Sequence, residues 1–318
     1  MSRRSALRFG ALALLAPPLL AACGPDDTTK RNGVDQLTAF YSAALADVAT
    51  ANAAAKAFPA DAPTFQVLAQ VRQAHATALA REISRAAAST TTPAAPQTAA
   101  PQVGGDESGA ITAMVAALNK SASSTLVQEV PRYRAGLVAS ICGGCASVAW
   151  ALTGSPVPSP AQTDQLLPAG ATPPSGLPSD TLDALQKALA AEHAAFWVCG
   201  TADTFVSGSP VDTATTAHQV RRDTAEQIIS AGGGTPQQSQ AAYTTPQPIT
   251  NQTSALAALA VAEQDATVAW RAVAENTDDK TLRSVALAGL TGAVLWQTSW
   301  RHLAGIAPAS IAMPGQPA

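Results

Sequence analysis

The sequence predicts an all-α protein, and three observations support that fold class. Alanine, the best helix former, is abundant along the whole chain, and runs of β-branched residues are rare. Apolar residues recur at steps of three and four in many stretches, which is the period of one helix face packed on a core. Hydrophobic residues make up 47% of the 318 residues, so the chain can bury one large core or two medium ones.

The first residues, 1–22, are predicted to be a secretory signal peptide rather than part of the fold. Arg3 and Arg4 precede a short apolar run over 11–20, and small residues follow, which is typical of such signals. The run is too short for a comfortable membrane span. The arginine pair also resembles a twin-arginine signal, so the export route, general secretory or twin-arginine, stays open.

The apolar run ends in a Leu-Ala-Ala-Cys sequence, Leu20–Cys23, which resembles a bacterial lipobox. This resemblance implies cleavage before Cys23 and attachment of lipid to that cysteine. Residues 23–33 then form the lipidated cysteine and a polar tether. The expected location is the outer, extracytoplasmic face of the cell membrane, which the protein contacts through its lipid anchor.

The segment 34–153 is predicted to form an N-terminal helical bundle. Pro59 and Pro63 separate its first two helices, and an unpatterned Thr/Pro/Ala/Gly stretch, 89–105, separates the second from the third. The four predicted helices span 34–55, 64–88, 107–123 and 131–152.

Residues 154–179 are rich in Pro and Gly and are predicted to link two domains. The same order of elements then repeats in a C-terminal domain, 180–316. A Gly/Gln/Pro loop, 232–250, again separates the second helix from the third. The four predicted helices span 181–206, 212–231, 251–276 and 279–304.

The two series of helices are offset by roughly 145 residues, which indicates an internal duplication. In each series a long connection joins the second and third helices. Such a connection can cross the length of a bundle and make the joined helices parallel, as in ferritin-like folds. We therefore expect two ferritin-like four-helix bundles; the alternative is a simple up-down bundle with a long flexible loop.

Two carboxylates interrupt the apolar stripes of the C-terminal domain. Glu192 lies in the stripe of the fifth predicted helix, and Glu263 lies in that of the seventh. Carboxylates that face a core need cations, protons or a metal beside them. This pair is therefore the first candidate for a site.

Several motifs in the same domain resemble a known family. Ala188–Ala195, His218–Asp223, Glu263 and Met313–Gly315 are similar to signatures of an uncharacterised ferritin-like family, domain of unknown function 4439, which is typical of exported actinobacterial proteins. The resemblance covers about 180–316 and implies a four-helix ferritin-like fold. The family has no established activity to carry over.

A di-iron ferritin-like site needs one Glu on each of two helices and Glu-x-x-His on each of the other two. Glu192 and Glu263 meet the first requirement. Thr215 stands where the Glu before His218 is required, and the eighth helix has no acidic residue after Asp279. The full set of six ligands is therefore absent.

Two interpretations of the remaining residues follow. In one, Glu192, His218 and Glu263 hold a single iron, manganese or zinc ion with open coordination positions. In the other, Arg222 or Arg221 pairs with the two carboxylates, and a buried Glu/Arg/His network replaces the metal. We favour the network, with no cofactor, because an arginine beside a cation site repels the cation.

The N-terminal half carries fewer such residues. Asp47 corresponds to Glu192 by the offset, and His75 lies near the position of His218, with Arg72 three residues before it. We interpret this half as a structural copy, in which the histidine is a satisfied core residue.

Cys142-Gly143-Gly144-Cys145 has the spacing of a redox or metal motif, but it lies inside a helical pattern with no strand before it. If Cys23 is lipidated, three cysteines remain. Two alternatives remain: a disulfide between Cys145 and Cys199, or three buried thiols. A Cys142–Cys145 disulfide would need a distorted helix.

The net charge of −3 and the low charged content, 13%, give no basic surface for nucleic acid. The sequence contains no nucleophile–base arrangement that would indicate an enzyme. We expect a membrane-anchored exported lipoprotein that acts as a non-catalytic binding or interaction module for an unidentified envelope protein or ligand. The alternative is a metal-binding or oxidative-stress protein with a reduced metal site.

Overall fold

The computed structural model describes residues 30–31, 34–87, 103, 105–153, 157–159, 166–167 and 170–316. The predicted signal peptide, 1–22, and the predicted lipid attachment residue, Cys23, lie outside the described residues. The predicted tether and linker are described only in part.

The described residues are almost entirely helical where they form regular structure, so the all-α prediction is confirmed. One short antiparallel pair of strands, β1 (Lys30–Arg31) and β2 (Val34–Asp35), was not predicted and delays the start of the first helix. The helices are α1 (Thr38–Ala57), α2 (Ala62–Ala86), α3 (Glu107–Ala122), α4 (Arg132–Thr153), α5 (Ser179–Ala202), α6 (Pro210–Ala231), α7 (Gln252–Glu275) and α8 (Lys280–Leu303).

Side-chain caps fix the starts of α7 and α8. The Asn251 side chain accepts from the Ser254 backbone N–H, and the Ser254 hydroxyl binds back to the Asn251 backbone, which makes a capping box at α7. Asp279 accepts from the Leu282 N–H at 2.7 Å and begins α8. The first cap fixes the start of α7, and the second fixes the turn between α7 and α8.

The loop between α6 and α7 runs along α5. Near the start of α5, the Gln186 side chain accepts from the Gln237 N–H at 3.0 Å. Near the end of α5, the rings of Trp197 and Tyr243 lie 6.1 Å apart. This long connection therefore follows the bundle axis, as a crossover requires.

The two halves of the chain share one apolar core. The largest buried cluster joins side chains of α1–α4 to side chains of α5–α8, and α4 packs directly on α7 and α8. Glycines in α4 permit this close approach, because a Cβ at Gly136 would overlap Glu275 and one at Gly143 would overlap Leu290. The predicted linker therefore divides the chain but does not divide the core.

Helix α4 is also long and apolar enough to cross a membrane by length and composition. However, 83% of its apolar window is buried inside the fold, which is typical of a core helix. It is the only helix of that kind among the described residues.

The C-terminal tail returns to the N-terminal half and lies on α4. The Ser140 hydroxyl donates to the Pro314 carbonyl at 2.7 Å, and the Ile311 N–H donates to the Ser147 hydroxyl at 2.9 Å. A Cβ at Gly144 would overlap the Ala312 carbonyl. The glycines of the Cys-Gly-Gly-Cys motif therefore serve the packing of α4 against α8 and the tail.

Candidate functional site

Three helices bring four charged side chains together in the middle of the C-terminal half. Glu192 comes from α5, His218 and Arg221 from α6, and Glu263 from α7. Each side chain is at most 1% exposed. We call these four residues the C-terminal cluster.

The two cations lie between the two carboxylates. Arg221 Nε donates to Glu192 Oε1 at 3.0 Å, and Arg221 Nη2 lies 3.6 Å from Glu263 Oε2. His218 Nδ1 lies 2.8 Å from Glu192 Oε2, and its Nε2 lies 3.0 Å from Glu263 Oε1. The imidazole ring therefore connects the carboxylates through its two opposite nitrogens.

The charge balance decides the protonation state of His218. Its Nδ1 is also 2.8 Å from Arg221 Nη2, so that nitrogen cannot both accept from Arg221 and donate to Glu192. A protonated ring gives two cations and two carboxylates, whereas a neutral ring leaves an uncompensated buried charge. Burial and the Arg221 charge lower the pKa of His218, but Glu263 and Cys199 act in the opposite direction, and the sum holds that pKa well above its usual value. His218 is therefore an imidazolium.

The same balance keeps Glu192 ionised. Burial alone would raise the pKa of Glu192, but Arg221, His218 and the Trp270 indole together lower it to about 2. The Trp270 Nε1–H donates to Glu192 Oε1 at 2.6 Å. Gly289 in α8 makes room for this ring, since a Cβ there would approach it at 2.5 Å. In the sequence Trp270 only continues the apolar stripe of the helix that carries Glu263, so the pattern gives no sign of its role as a donor.

Glu263 is held by charge more than by hydrogen bonds. Its distances to His218 and Arg221 make ion pairs, but neither carboxylate oxygen has a hydrogen-bond partner with acceptable angles among the described residues. Nη1 of Arg221 likewise lacks a hydrogen-bond acceptor among the described residues. The cluster therefore has fewer hydrogen bonds around Glu263 than around Glu192.

Arg222 does not belong to the cluster. Its side chain is 22% exposed, pairs with Asp223 at 2.7 Å and lies over the Phe196 ring at 5.2 Å. Arg221 takes the buried position because it continues the α6 stripe of buried residues three positions after His218. Arg222, four residues after His218, stands at an equally helical spacing in the sequence, so the packing of α6 selects between the two arginines.

The donor set does not fit a metal ion. Glu192 and Glu263 face opposite nitrogens of His218, so one ion cannot reach the ring and both carboxylates together. The Arg221 guanidinium fills the space between them. In the described residues no group of three or more His, Cys, Asp or Glu side chains could hold a metal ion.

The N-terminal half contains a second cluster of polar side chains. From the sequence, we interpret this half as a structural copy of the C-terminal half. Arg72 Nε donates to Asp47 Oδ2 at 2.7 Å, and Arg72 Nη1 lies 3.0 Å from His75 Nδ1 and 2.9 Å from Cys145 Sγ. His75 Nε2 lies 2.7 Å from the Ala312 carbonyl of the C-terminal tail. We call Asp47, Arg72, His75 and Cys145 the N-terminal cluster.

His75 is neutral. A carbonyl oxygen only accepts, so Nε2 carries the proton, and Nδ1 accepts from Arg72. Burial and the Arg72 charge lower the pKa of His75 to about 3, although its bond to Ala312 opposes the shift. Burial raises the pKa of Asp47, with Arg72 acting in the opposite direction. One cation thus balances one carboxylate.

The three cysteines of the described residues are buried free thiols. Burial raises the pKa of Cys145 to about 12 and also raises that of Cys142, so neither is a nucleophile. Cys199 lies against His218 rather than opposite Cys145. His75 and His218 therefore each have a thiol neighbour, Cys145 and Cys199 respectively. The two cysteines do not form a disulfide.

The C-terminal cluster lies wholly within one family match. Residues 184–318 match the family model of a domain of unknown function (DUF4439). The resemblance inferred from the motifs is thereby confirmed for the DUF4439 region. No curated protein matches the chain.

One solved structure to which the chain is similar is that of a conserved hypothetical protein from Mycobacterium tuberculosis. The two share 30% sequence identity with a TM-score of 0.39, and the similarity covers 43% of this chain and 98% of that chain.

Proposed function

We propose that the chain is a membrane-anchored exported lipoprotein at the outer face of the cell membrane. In this proposal it is built from two ferritin-like four-helix bundles related by internal duplication. It acts as a non-catalytic binding or interaction module, and a buried Glu/Arg/His network takes the place of a di-iron site. The supports are the Leu20–Cys23 motif, the loop that follows α5, and the paired buried clusters in the two halves.

The observation that carries the non-catalytic assignment is the position of Arg221. Its guanidinium lies inside the C-terminal cluster, 3.0 Å from Glu192 and 3.6 Å from Glu263, where it supplies the positive charge that a metal would supply. With His218 protonated, the cluster is neutral and sealed from water. A sealed and neutral cluster has neither an open coordination position nor access for a substrate.

The first experiment is metal analysis of the protein purified without chelator, followed by thermal unfolding with EDTA or with added iron, manganese or zinc. We expect substoichiometric metal and an unchanged melting temperature. Stoichiometric metal that survives purification and raises the melting temperature would overturn the network and support the metal-binding alternative.

The second experiment tests the anchor. We expect Cys23→Ala to release the protein from the membrane fraction or to block its processing. Cys199→Ala, at a buried cysteine outside the lipobox, is the control that should remain membrane-bound. Membrane fractionation and normal processing of the Cys23 variant would refute the lipoprotein proposal.

A further inference from the structure

A surface pocket of about 650 Å³ lies between α5, α6 and the loop that joins α6 to α7. Its volume is in the range that binds small ligands. It is separate from the C-terminal cluster, whose four side chains do not line it. Nothing in the function proposed above uses it.

Aromatic side chains are concentrated in this pocket. Aromatic residues are only 4% of the chain, yet Phe196, Trp197 and Tyr243 all line it. The other four tryptophans are buried in the fold, whereas Trp197 is partly exposed. The Tyr243 hydroxyl accepts from the Gln240 N–H at 3.0 Å, which fixes that ring in place. The pocket therefore has rigid apolar faces open to solvent.

Most polar side chains of the pocket end in planar groups, and Arg222 and Glu226 in the lining are of opposite charge. Arg222 and Glu226 supply one cation and one anion, and Gln238 and Gln240 supply amides. Arg222 also pairs with Asp223, which is not part of the lining. Such a set offers hydrogen-bond donors and acceptors and carries no excess of positive charge.

A glycine in the wall of the pocket is a second, independent observation. Gly200 lies within α5, where glycine weakens a helix relative to alanine. Four glycines inside α4 and α8 are explained by close neighbours, since a Cβ at Gly136, Gly143, Gly144 or Gly289 would meet a packed atom. A Cβ at Gly200 would meet nothing within 4 Å. Its missing side chain leaves open space beside the α5 backbone in the wall of the pocket.

We propose that this pocket binds a neutral saccharide. The rings of Trp197 and Tyr243 would stack on the C–H faces of a sugar ring, and the planar polar side chains would bind its hydroxyl groups. Gly200 would let the ring approach the α5 backbone. A sugar ring combines apolar faces with a neutral edge that is rich in hydroxyl groups. The faces match the aromatic side chains of the lining, and the edge matches its polar side chains.

The proposal deepens the proposed binding role and rests on it, but the two can fail separately. Saccharide binding is measured on purified protein, whereas anchoring is measured by fractionation of Cys23→Ala. The test uses the full chain in a detergent without a sugar headgroup. The probes are maltotriose, cellotriose, mannotriose and chitotriose, together with a proline-rich decapeptide, since such peptides also dock on aromatic grooves.

Calorimetry and tryptophan fluorescence should show a dissociation constant of about 10 mM or tighter for at least one saccharide. Trp197→Ala and Gly200→Leu should weaken it by about tenfold or more, since stacking is lost or the space is filled. Trp197→Phe should keep binding by calorimetry and lose the fluorescence response. Tyr133→Ala and Ala257→Leu, at exposed positions away from the pocket, should bind like the parent.

Circular dichroism of each variant identifies any that fail to fold, and Gly200→Ala then serves as the milder pocket variant, expected to weaken binding less than Gly200→Leu. Absence of binding by all four saccharides would overturn the proposal. Binding of the decapeptide alone, or saccharide binding that Gly200→Leu leaves unchanged, would also overturn it.

Discussion

The two buried clusters use the same residue types and reach opposite histidine states. In the C-terminal cluster two carboxylates face Arg221 and a protonated His218. In the N-terminal cluster one carboxylate, Asp47, faces Arg72, and His75 is neutral. Both arrangements sum to zero charge.

The difference teaches that the number of buried carboxylates sets the charge of the histidine. Helix α3 supplies no counterpart of Glu263, so a second cation beside Arg72 would be uncompensated and costly. In place of a second carboxylate, the C-terminal tail supplies the Ala312 carbonyl, which accepts a hydrogen bond from the Nε2–H of His75. The N-terminal cluster thereby joins the two halves of the chain, whereas the C-terminal cluster lies within one half.

The largest expected effect comes from removing the buried guanidinium. Arg221→Met leaves two carboxylates with one cation and should destabilise the protein by about 3–5 kcal/mol. Arg222→Met, at the adjacent exposed position, is the matched control and should cost less than about 1 kcal/mol. Urea unfolding measures both. Equal costs for the two variants would contradict the assignment of Arg221 to the cluster.

Simultaneous replacement of the C-terminal cluster sharpens this test. The variant Glu192→Leu, Glu263→Leu, Arg221→Met, His218→Leu should be milder than Arg221→Met alone, because no charge is left buried without a partner. Asp47→Asn in the N-terminal cluster should cost less than Glu192→Gln, since Asp47 is 17% exposed and water can reach it. The same unfolding series ranks these variants.

A smaller effect tests the contact between the tail and the N-terminal cluster. Gly144→Ala should cost about 1–3 kcal/mol, because its methyl group would displace the Ala312 carbonyl from His75. Gly200→Ala, where the added methyl group meets open space, should be neutral or stabilising by about 0.5–1 kcal/mol. Thermal unfolding of the two variants separates the cost of overpacking at Gly144 from the gain in helix propensity at Gly200. A neutral Gly144 variant would show that the tail does not require the glycine.

The pH dependence of stability should differ in sign between the two histidines. The folded pKa of His75, about 3, lies below the unfolded value of 6.5, so its contribution to stability is lost as the pH falls through that window. Between pH 7 and pH 5 this loss should be about 2 kcal/mol. The raised pKa of His218 gives a contribution that is complete below 6.5 and declines as the pH rises toward its folded pKa.

Nitrogen chemical shifts of the imidazole rings test these states directly at pH 7. We expect a neutral ring with the proton on Nε2 for His75 and an imidazolium for His218. His75→Gln should remove the destabilisation between pH 7 and pH 5, and His218→Gln should remove the decline above pH 7. A protonated His75 or a neutral His218 at pH 7 would break the comparison between the clusters.

Local sequence patterns alone are enough to predict the helices and the need for a cation, a proton or a metal beside the two carboxylates. Alanine content and the three- and four-residue steps depend on local geometry alone, so the helices were predictable to within a few residues. The position of Glu192 and Glu263 on apolar stripes also sufficed to predict burial, and burial required opposite charge nearby. The family resemblance of the C-terminal domain followed from short motifs.

The groups that complete each cluster depend on how the helices pack. Arg221 and Arg222 differ by one residue, but about 100° around the helix separates a buried position from an exposed one. Trp270 and the Ala312 carbonyl became polar partners because packing brings distant segments within hydrogen-bond distance. The protonation state of each histidine depends on the sum of charges in a space closed to water, and that sum exists only after the helices from separate parts of the chain have packed together.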